Sequence, residues 1–253
     1  DRSPSRGLGD VYKRQVYSDA DVGAPHVQLA DDAVRIGPGP VGESYLLAKT
    51  ILEAAAKSGA EAIHPGYGFL SENAEFAGAV ESAGLTFIGP TREAIDVMGN
   101  KAESKRCMIE AGVPCVPGYE GLDQSDEVLL AEGNKIDLPL MVKAAAGGGG
   151  RGMRLVHDYA DLANAIKLAR AEAEGAFGSG ELILEKAIIQ PRHVEIQVFA
   201  DTMGNTIHLG ERDCSVQRRH QKVVEEAPCP IMTPELREQM GQSAIDAAKS
   251  VNS

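Results

Sequence analysis

Leu138-Pro139-Leu140-Met141-Val142-Lys143-Ala144-Ala145-Ala146 runs without a break into Gly147-Gly148-Gly149-Gly150-Arg151-Gly152 and then Met153-Arg154-Leu155-Val156. The order decides the fold: an apolar strand enters a glycine loop and leaves it as a second strand, making a flap. A bare GxGxxG is present, yet a dinucleotide fold needs a helix to open at that loop, and Met153 to Val156 reads as strand. A Walker-type phosphate loop fails too, because Met153 stands where Lys and then Ser or Thr should follow the last glycine. What remains is a mobile hairpin. Lacking Cβ atoms, its backbone can close over a polyphosphate and offer its N–H groups. The same run also serves as an ordinary turn between strands, glycine's commonest use. Lys143 before it and Arg151 within it favour the anion.

Working outward, the chain changes texture on either side of this flap. The opening DRSPSRGLGDVYKRQ is polar and aperiodic, and residues 1–15 read as a non-native or disordered leader. Val16 begins a strand end and turn. A helix from Glu43 carries Leu47, Ile51 and Ala55 at four-residue steps, Gly59 caps it, and Ala62-Ile63 starts a short strand. The order repeats with Phe76, Val80 and Ala83 on a helix ending at Gly84, then Leu85 to Ile88 as strand before Gly89-Pro90. Such α/β alternation implies an open parallel sheet. Beyond the flap, a helix over 158–173 puts Leu162, Ile166 and Ala169 on one face, and Leu182-Ile183-Leu184 returns as strand, which together suggest a small α+β lid. From Arg192, alternation sets His193, Glu195 and Gln197 on one strand face and Val194, Ile196 and Val198 on the other. Thr233-Pro234 then opens a helix with Leu236, Met240, Ala244 and Ala248 in register. That helix meets Ser253 with no glycine cap and no following strand, so the chain reads as cut inside a domain.

The 253 residues, 43% of them hydrophobic, suffice for a sizeable core in one large or two modest domains. A net charge of -12 and a pI near 5.0 argue against a nucleic-acid partner, which requires a concentrated basic surface. The basic residues crowd at Arg192 and at Arg212, Arg218, Arg219 and Lys222, which points to a local anion pocket in an acidic shell. Cys107, Cys115, Cys214 and Cys229 show no CxxC spacing, so zinc sites and disulfide frameworks are not expected, and the thiols read as reduced in cytosol. No apolar run reaches membrane-spanning length and no signal segment is evident.

Candidate site residues follow from charge and position. Lys143 ends an apolar strand, where a buried ammonium needs an anionic partner that a nucleotide phosphate can supply, unless it snorkels to solvent. Lys101 follows Gly99-Asn100 at a helix start, where N–H groups and the macrodipole already attract an anion; a solvated surface lysine is the plain alternative. Leu184-Glu185-Lys186-Ala187-Ile188 can set backbone donors and acceptors beside an adenine, with Glu185 accepting from an amine or hydroxyl. The run from Gly210 to Pro228 is dense in mixed charge, which is read either as a site or as a salt-bridge lattice. His193 and His220 are equally readable as packed hydrogen-bonding histidines.

His64-Pro65-Gly66-Tyr67-Gly68-Phe69-Leu70-Ser71-Glu72-Asn73, the flap from Lys143 to Met153, Arg192-His193-Val194-Glu195-Ile196-Gln197-Val198 and the run from Arg212 to Pro228 occur in this order. Together they resemble biotin carboxylase, in the form found in acyl-CoA carboxylases of the methylcrotonyl, geranyl or propionyl type. The resemblance extends from about Val16 to the last residue. It implies a mixed α/β and α+β fold: a truncated Rossmann-like pre-ATP-grasp domain over residues 16–88, a linker over 89–115, an ATP-grasp lid over 116–187 and the start of the second ATP-grasp lobe over 188–253.

By position, the family implies that Lys101, Lys143, Gly149, Gly150, Glu185, Lys186, Ala187, Ile188, His193, Gln217 and His220 bind ATP, while Lys222 holds bicarbonate. The implied reaction uses ATP with Mg2+ or Mn2+ to phosphorylate bicarbonate, and the resulting carboxyphosphate delivers carbon dioxide to biotin N1 on a carboxyl carrier domain. A carboxyltransferase subunit, a homo-oligomeric assembly and a cytoplasmic or mitochondrial-matrix location are implied as well. Residues 1–15 do not resemble the strand, glycine turn and helix that the family places before the Val16 segment. The family's acidic metal ligands, general-base glutamate and substrate-gripping arginines correspond to positions after Ser253, so this stretch is expected to hold no metal ligand and to be inactive by itself. Ala146 replaces a glycine usual at the start of the flap. A nucleotide-binding remnant and a carbamoyl-phosphate-forming ATP-grasp ligase are the alternatives, the latter expected to lack His220-Gln221-Lys222.

Overall fold

The computed structural model describes residues 11–146, 152–218 and 221–251. The expectations placed on Gly149, Gly150 and His220 lie outside the described residues. The chain forms two compact units, one through Ile95 and one from Asp96, a division that falls within the stretch assigned as linker.

In the first unit, β1 (Arg14–Ser18) and β2 (Asp32–Gly37) flank the short helix α1 (Pro25–Gln28) and pair in parallel, Arg14 opposite Asp32 and Val16 opposite Val34. The leader expected over 1–15 is therefore too long. Its polar residues conceal a backbone ladder that side-chain pattern does not report: the Lys13 carbonyl accepts from Asp31 N–H at 3.0 Å, and the Lys13 N–H donates to Asp31 Oδ2 at 2.8 Å. Helix α2 (Ala48–Ser58) starts later than Glu43 because Val41–Glu43 closes a tighter 3-10 turn first, and it ends at Gly59 with φ +64 as anticipated. Strand β3 (Ala62–Ile63), helix α3 (Ala74–Ser82) and strand β4 (Thr86–Phe87) repeat the unit, and Asn73 Oδ1 caps α3 by accepting from Phe76 N–H at 2.7 Å. Helix α4 (Arg92–Gly99) supplies Ile95 to a core of Phe76, Ala77, Val80 and Phe87, with Phe76 and Phe87 edge to face.

β3 and β4 are also parallel, but among the described residues no ladder joins them to β1 and β2. The expected open sheet is thus two parallel pairs. Strands of two residues, stopped by Pro65 and by Gly89-Pro90, leave little ladder to propagate. A cavity of about 790 Å³ is lined from both pairs by Val16, Val34, Ile63 and, from the helices, Ile51, Ala54 and Phe76.

The second unit begins with α5 (Lys101–Glu110), β5 (Gly118–Tyr119) and α6 (Asp126–Gly133), followed by β6 (Leu140–Ala144), β7 (Arg154–Val156), α7 (Leu162–Phe177) and β8 (Leu182–Lys186). The flap is as anticipated: β6 and β7 are antiparallel, with Leu140 opposite Val156 and Val142 opposite Arg154. The sheet order is β5-β8-β6-β7. Helix α7 starts at Leu162 rather than 158 because Tyr159–Asp161 forms a 3-10 turn capped by the Asp158 carboxylate, and it runs on to Gly178 at φ +72. Alternation gives this sheet two distinct faces. Leu140, Val142, Leu182 and Leu184 are wholly buried with Leu129, Leu162 and Ile166, each such side chain contributing about 1.5–3 kcal/mol. Met141, Lys143, Ile183 and Glu185 occupy the opposite alternation.

β9 (Val194–Ala200), β10 (Thr206–Arg218) and β11 (Gln221–Glu226) form a second antiparallel sheet in the order β11-β10-β9. Helix α8 (Pro234–Ser250) packs on β9 and β10, and Thr233 Oγ1 accepts from Leu236 N–H at 3.2 Å, the cap anticipated from Thr233-Pro234.

Candidate functional site

The second unit carries a cavity of about 270 Å³ lined by Lys101, Lys105, Lys143, Glu185, Cys115 and Ile183, among others. Lys101 is the first residue of α5, held there by Asn100, whose side-chain oxygen accepts from Ala102 and Glu103 N–H and whose amide donates to Glu181 at 2.9 Å. Burial, and then the neighbouring charge of Lys143, pushes the Lys101 pKa down. A site that crowds ammonium groups to this extent gains from binding an anion.

Lys143 does have the anionic partner that its position demanded, and the protein supplies it. One Glu185 oxygen accepts from Lys143 and the other accepts from Lys105 at 3.0 Å. Burial drives the Glu185 pKa up, but Lys143 and then Lys105 outweigh it and leave the carboxyl below its usual value. The carboxylate expected to accept from an amine or hydroxyl beside an adenine is occupied here by two lysines of the chain itself. Lys186 N–H donates to the Pro117 carbonyl and Ala187 N–H to the Pro139 carbonyl, both at 2.9 Å, so these two donors serve the lid itself. Lys186 Nζ bonds the Leu138 carbonyl, and Ile188 follows as an exposed residue.

Sequence reasoning missed Lys105, Glu120 and Cys115. Lys105 is buried, with Glu120 Oε2 3.3 Å from its ammonium. Its four-residue spacing from Lys101 was the available signal, since that step places both on one side of α5. Glu120 and Cys115 gave none, because only the pairing of β5 with β8 brings that segment to Glu185.

The second sheet gathers the other expected residues. Glu195 and Gln197, on the anticipated polar face of β9, both accept from Arg212 of β10, while Lys222 of β11 donates to Glu195 and lies 3.6 Å from Glu225. Lys222 comes first among the causes that hold the Glu195 pKa at about 2, ahead of Arg212 and against the opposing effect of burial. His193 meets Gln217 through its Nδ1, and the His193 N–H donates to Ser215 Oγ at 2.9 Å. Among the described residues of the charged run, Glu211, Arg212, Asp213, Lys222 and Glu225 form a salt-bridge lattice, with Arg192 on Asp213 and Arg237 on buried Glu211.

Glu195, Cys214 and Glu225 place ligand-type atoms within 4.8 Å of one another. They do not suit Mg2+ or Mn2+. A hard cation wants an all-oxygen set, Cys214 is a thiol whose pKa burial raises, and the Lys222 ammonium already lies against both carboxylates.

Residues 100–253 match the family model described as "Carbamoyl-phosphate synthase L chain, ATP binding domain", and residues 10–95 match "Biotin carboxylase, N-terminal domain". The fold is accordingly that of an ATP-grasp protein. The chain belongs to the biotin carboxylase family.

Among relatives, the mitochondrial methylcrotonoyl-CoA carboxylase subunit alpha of Oryza sativa subsp. japonica is 56% identical over 236 residues, which is 93% of this chain and 32% of the relative. A biotin carboxylase of Campylobacter jejuni, solved in a β,γ-ATP complex, superposes with a TM-score of 0.88 at 45% identity, covering 94% of this chain and 54% of that one. The biotin carboxylase domain dimer of Hydrogenobacter thermophilus 2-oxoglutarate carboxylase, solved with MgADP, ADP and bicarbonate, gives 0.85 at 48%, covering 94% and 52%. The chain thus spans about a third of the curated relative and about half of the solved chains.

Proposed function

We propose that this chain carries the nucleotide- and bicarbonate-handling part of a biotin carboxylase that serves an acyl-CoA carboxylase of the methylcrotonyl type. The observation that carries the proposal is the convergence of Lys101, Lys105 and Lys143 on one small cavity beside Glu185. Lys101 and Lys143 take the phosphate oxygens, while the segment Glu185, Lys186, Ala187 and Ile188 lies against the base. His193 and Gln217, with Gly149, Gly150 and His220, complete the nucleotide contacts. Lys222, released in part from Glu195, holds bicarbonate. Positive charge is needed because two anions must meet at the transferring phosphoryl group.

A bound divalent cation supplies charge neutralisation across the phosphates. Glu195, Cys214 and Glu225 do not fit such a cation, and every role above belongs to the chain's own residues. The reading extends to a biotin carboxyl carrier domain, a carboxyltransferase subunit and a homo-oligomer, since one solved relative is a domain dimer. The domain assignment over residues 16–88, 89–115, 116–187 and 188–253 belongs to the same proposal. A bacterial cytosol or mitochondrial matrix location also belongs to it; among the described residues no helix is long and apolar enough to cross a membrane.

The test is ATP cleavage by the protein that contains this chain. Cleavage dependent on bicarbonate and stimulated by free biotin is expected, and indifference to biotin rejects the proposal. For the 253 residues alone a second reading is nucleotide binding without turnover, since the group of ligand-type side chains found among the described residues, Glu195, Cys214 and Glu225, does not fit a hard cation. Appreciable bicarbonate-dependent ATP turnover by that chain overturns it.

A further inference from the structure

Glu185 holds two lysines in very different settings. Lys105 has a side chain 8% exposed and also pairs with Glu120 at 3.3 Å, whereas the Lys143 side chain is 29% exposed. Lys105 is further confined by Gly118, where an added Cβ would sit 3.0 Å from its Nζ and 2.1 Å from the Leu184 carbonyl oxygen. One partner is locked in place and the other has a way out.

We propose that Glu185 is the resting anchor of Lys143, and that Lys105 is the positioning residue that keeps Glu185 charged and fixed while Lys143 moves to a phosphate oxygen. This rests on the reading that the cavity takes a nucleoside triphosphate. The exchange leaves every group with a counter-charge: the phosphate replaces Glu185 at Lys143, and Lys105 stays on Glu185. A buried carboxylate stripped of both cations would instead take up a proton. Facing Glu185 are Lys143 from β6, Lys101 and Lys105 from α5, and Glu120 and Cys115 from the segments flanking β5. Among them Lys105 is locked directly onto the carboxylate by a buried hydrogen bond. Glu120, whose side chain is 20% exposed, reaches Lys105 with its buried Oε2 at 3.3 Å.

The experiment is calorimetric titration of the 253-residue chain with a non-hydrolysable ATP analogue at neutral pH, in two buffers of different ionisation enthalpy. Wild type is expected to bind with almost no linked proton uptake. Lys105→Met is expected to bind about tenfold more weakly with uptake of about one proton, and Lys105→Arg to restore both values. Weaker binding by Lys105→Met without proton uptake marks a merely structural role and overturns the proposal, as does wild-type binding by that variant. Should Lys105→Met fail to fold, ammonium-selective NMR of the wild-type lysines decides: the analogue must shift the Lys143 signal and leave that of Lys105, and any other pattern overturns the exchange. Absence of binding by wild type is a separate outcome that removes the nucleotide reading and this proposal with it.

Discussion

Glu195 and Glu211 show how single carboxylates couple this lattice to pH. Each titrates at about 2 instead of 4.5, Glu195 chiefly through Lys222 and Glu211 chiefly through Arg237. A carboxylate depressed in the folded state adds stability above its unfolded value and loses it as pH falls through the folded one. The stabilisation is therefore full above about 4.5 and disappears toward about 2. Urea unfolding is expected to show stability falling across that window, and the double change Glu195→Gln with Glu211→Gln should flatten the fall while lowering stability at pH 5. An unchanged slope in the double variant would place the acid sensitivity elsewhere, for instance at Asp213, which Ser215 and Arg192 also depress. The same residues explain why charge density alone could not separate a site from a lattice. Lys222 is at once a lattice member and the proposed bicarbonate ligand.

At the scale of elements, caps do two kinds of work here. Thr233 satisfies one N–H at the start of α8, whereas Asn100 satisfies two at the start of α5 and also donates to Glu181, so it fixes the helix end from which Lys101 projects. Replacing either with Ala is expected to cost about 1 kcal/mol, and toward 2 for Asn100. The difference should appear in function: Asn100→Ala is expected to weaken binding of the ATP analogue several-fold, and Thr233→Ala to leave it unchanged. Equal effects of the two on binding would disconnect the α5 cap from the lysine pocket. The Thr233 cap was legible in sequence, because Thr before Pro and a helical stripe has a local meaning, whereas at Asn100 only the helix start was read. The starts of α2 and α7 were not legible. A 3-10 turn precedes each, and its residues continue the hydrophobic spacing without joining the α-helix.

At the scale of the whole molecule, the two units differ in what a ligand can do for them. The lysine-lined cavity lies wholly in the unit from Asp96 onward. Nucleotide at a hundred times its dissociation constant should stabilise that unit by about 2.7 kcal/mol against local and global opening. Amide exchange should slow in β6 and β8 and remain unaltered in β1 and β2. Uniform slowing through both units would show that they open together. What the sequence determined by itself is whatever follows from near neighbours along the chain: the flap, the cap at Thr233, the helix start at Lys101, the strand after Arg192, and the parallel sense of the α/β pairs. Four ordered motifs carried the family. Tertiary structure alone decided that the open sheet is two separate pairs, that Glu185 is the partner of Lys143, and that Lys105, Glu120 and Cys115 belong beside it. Residues 65 to 80 positions apart reach one carboxylate only after β5 pairs with β8 and α5 packs beside them. Local periodicity holds no record of which strands become neighbours.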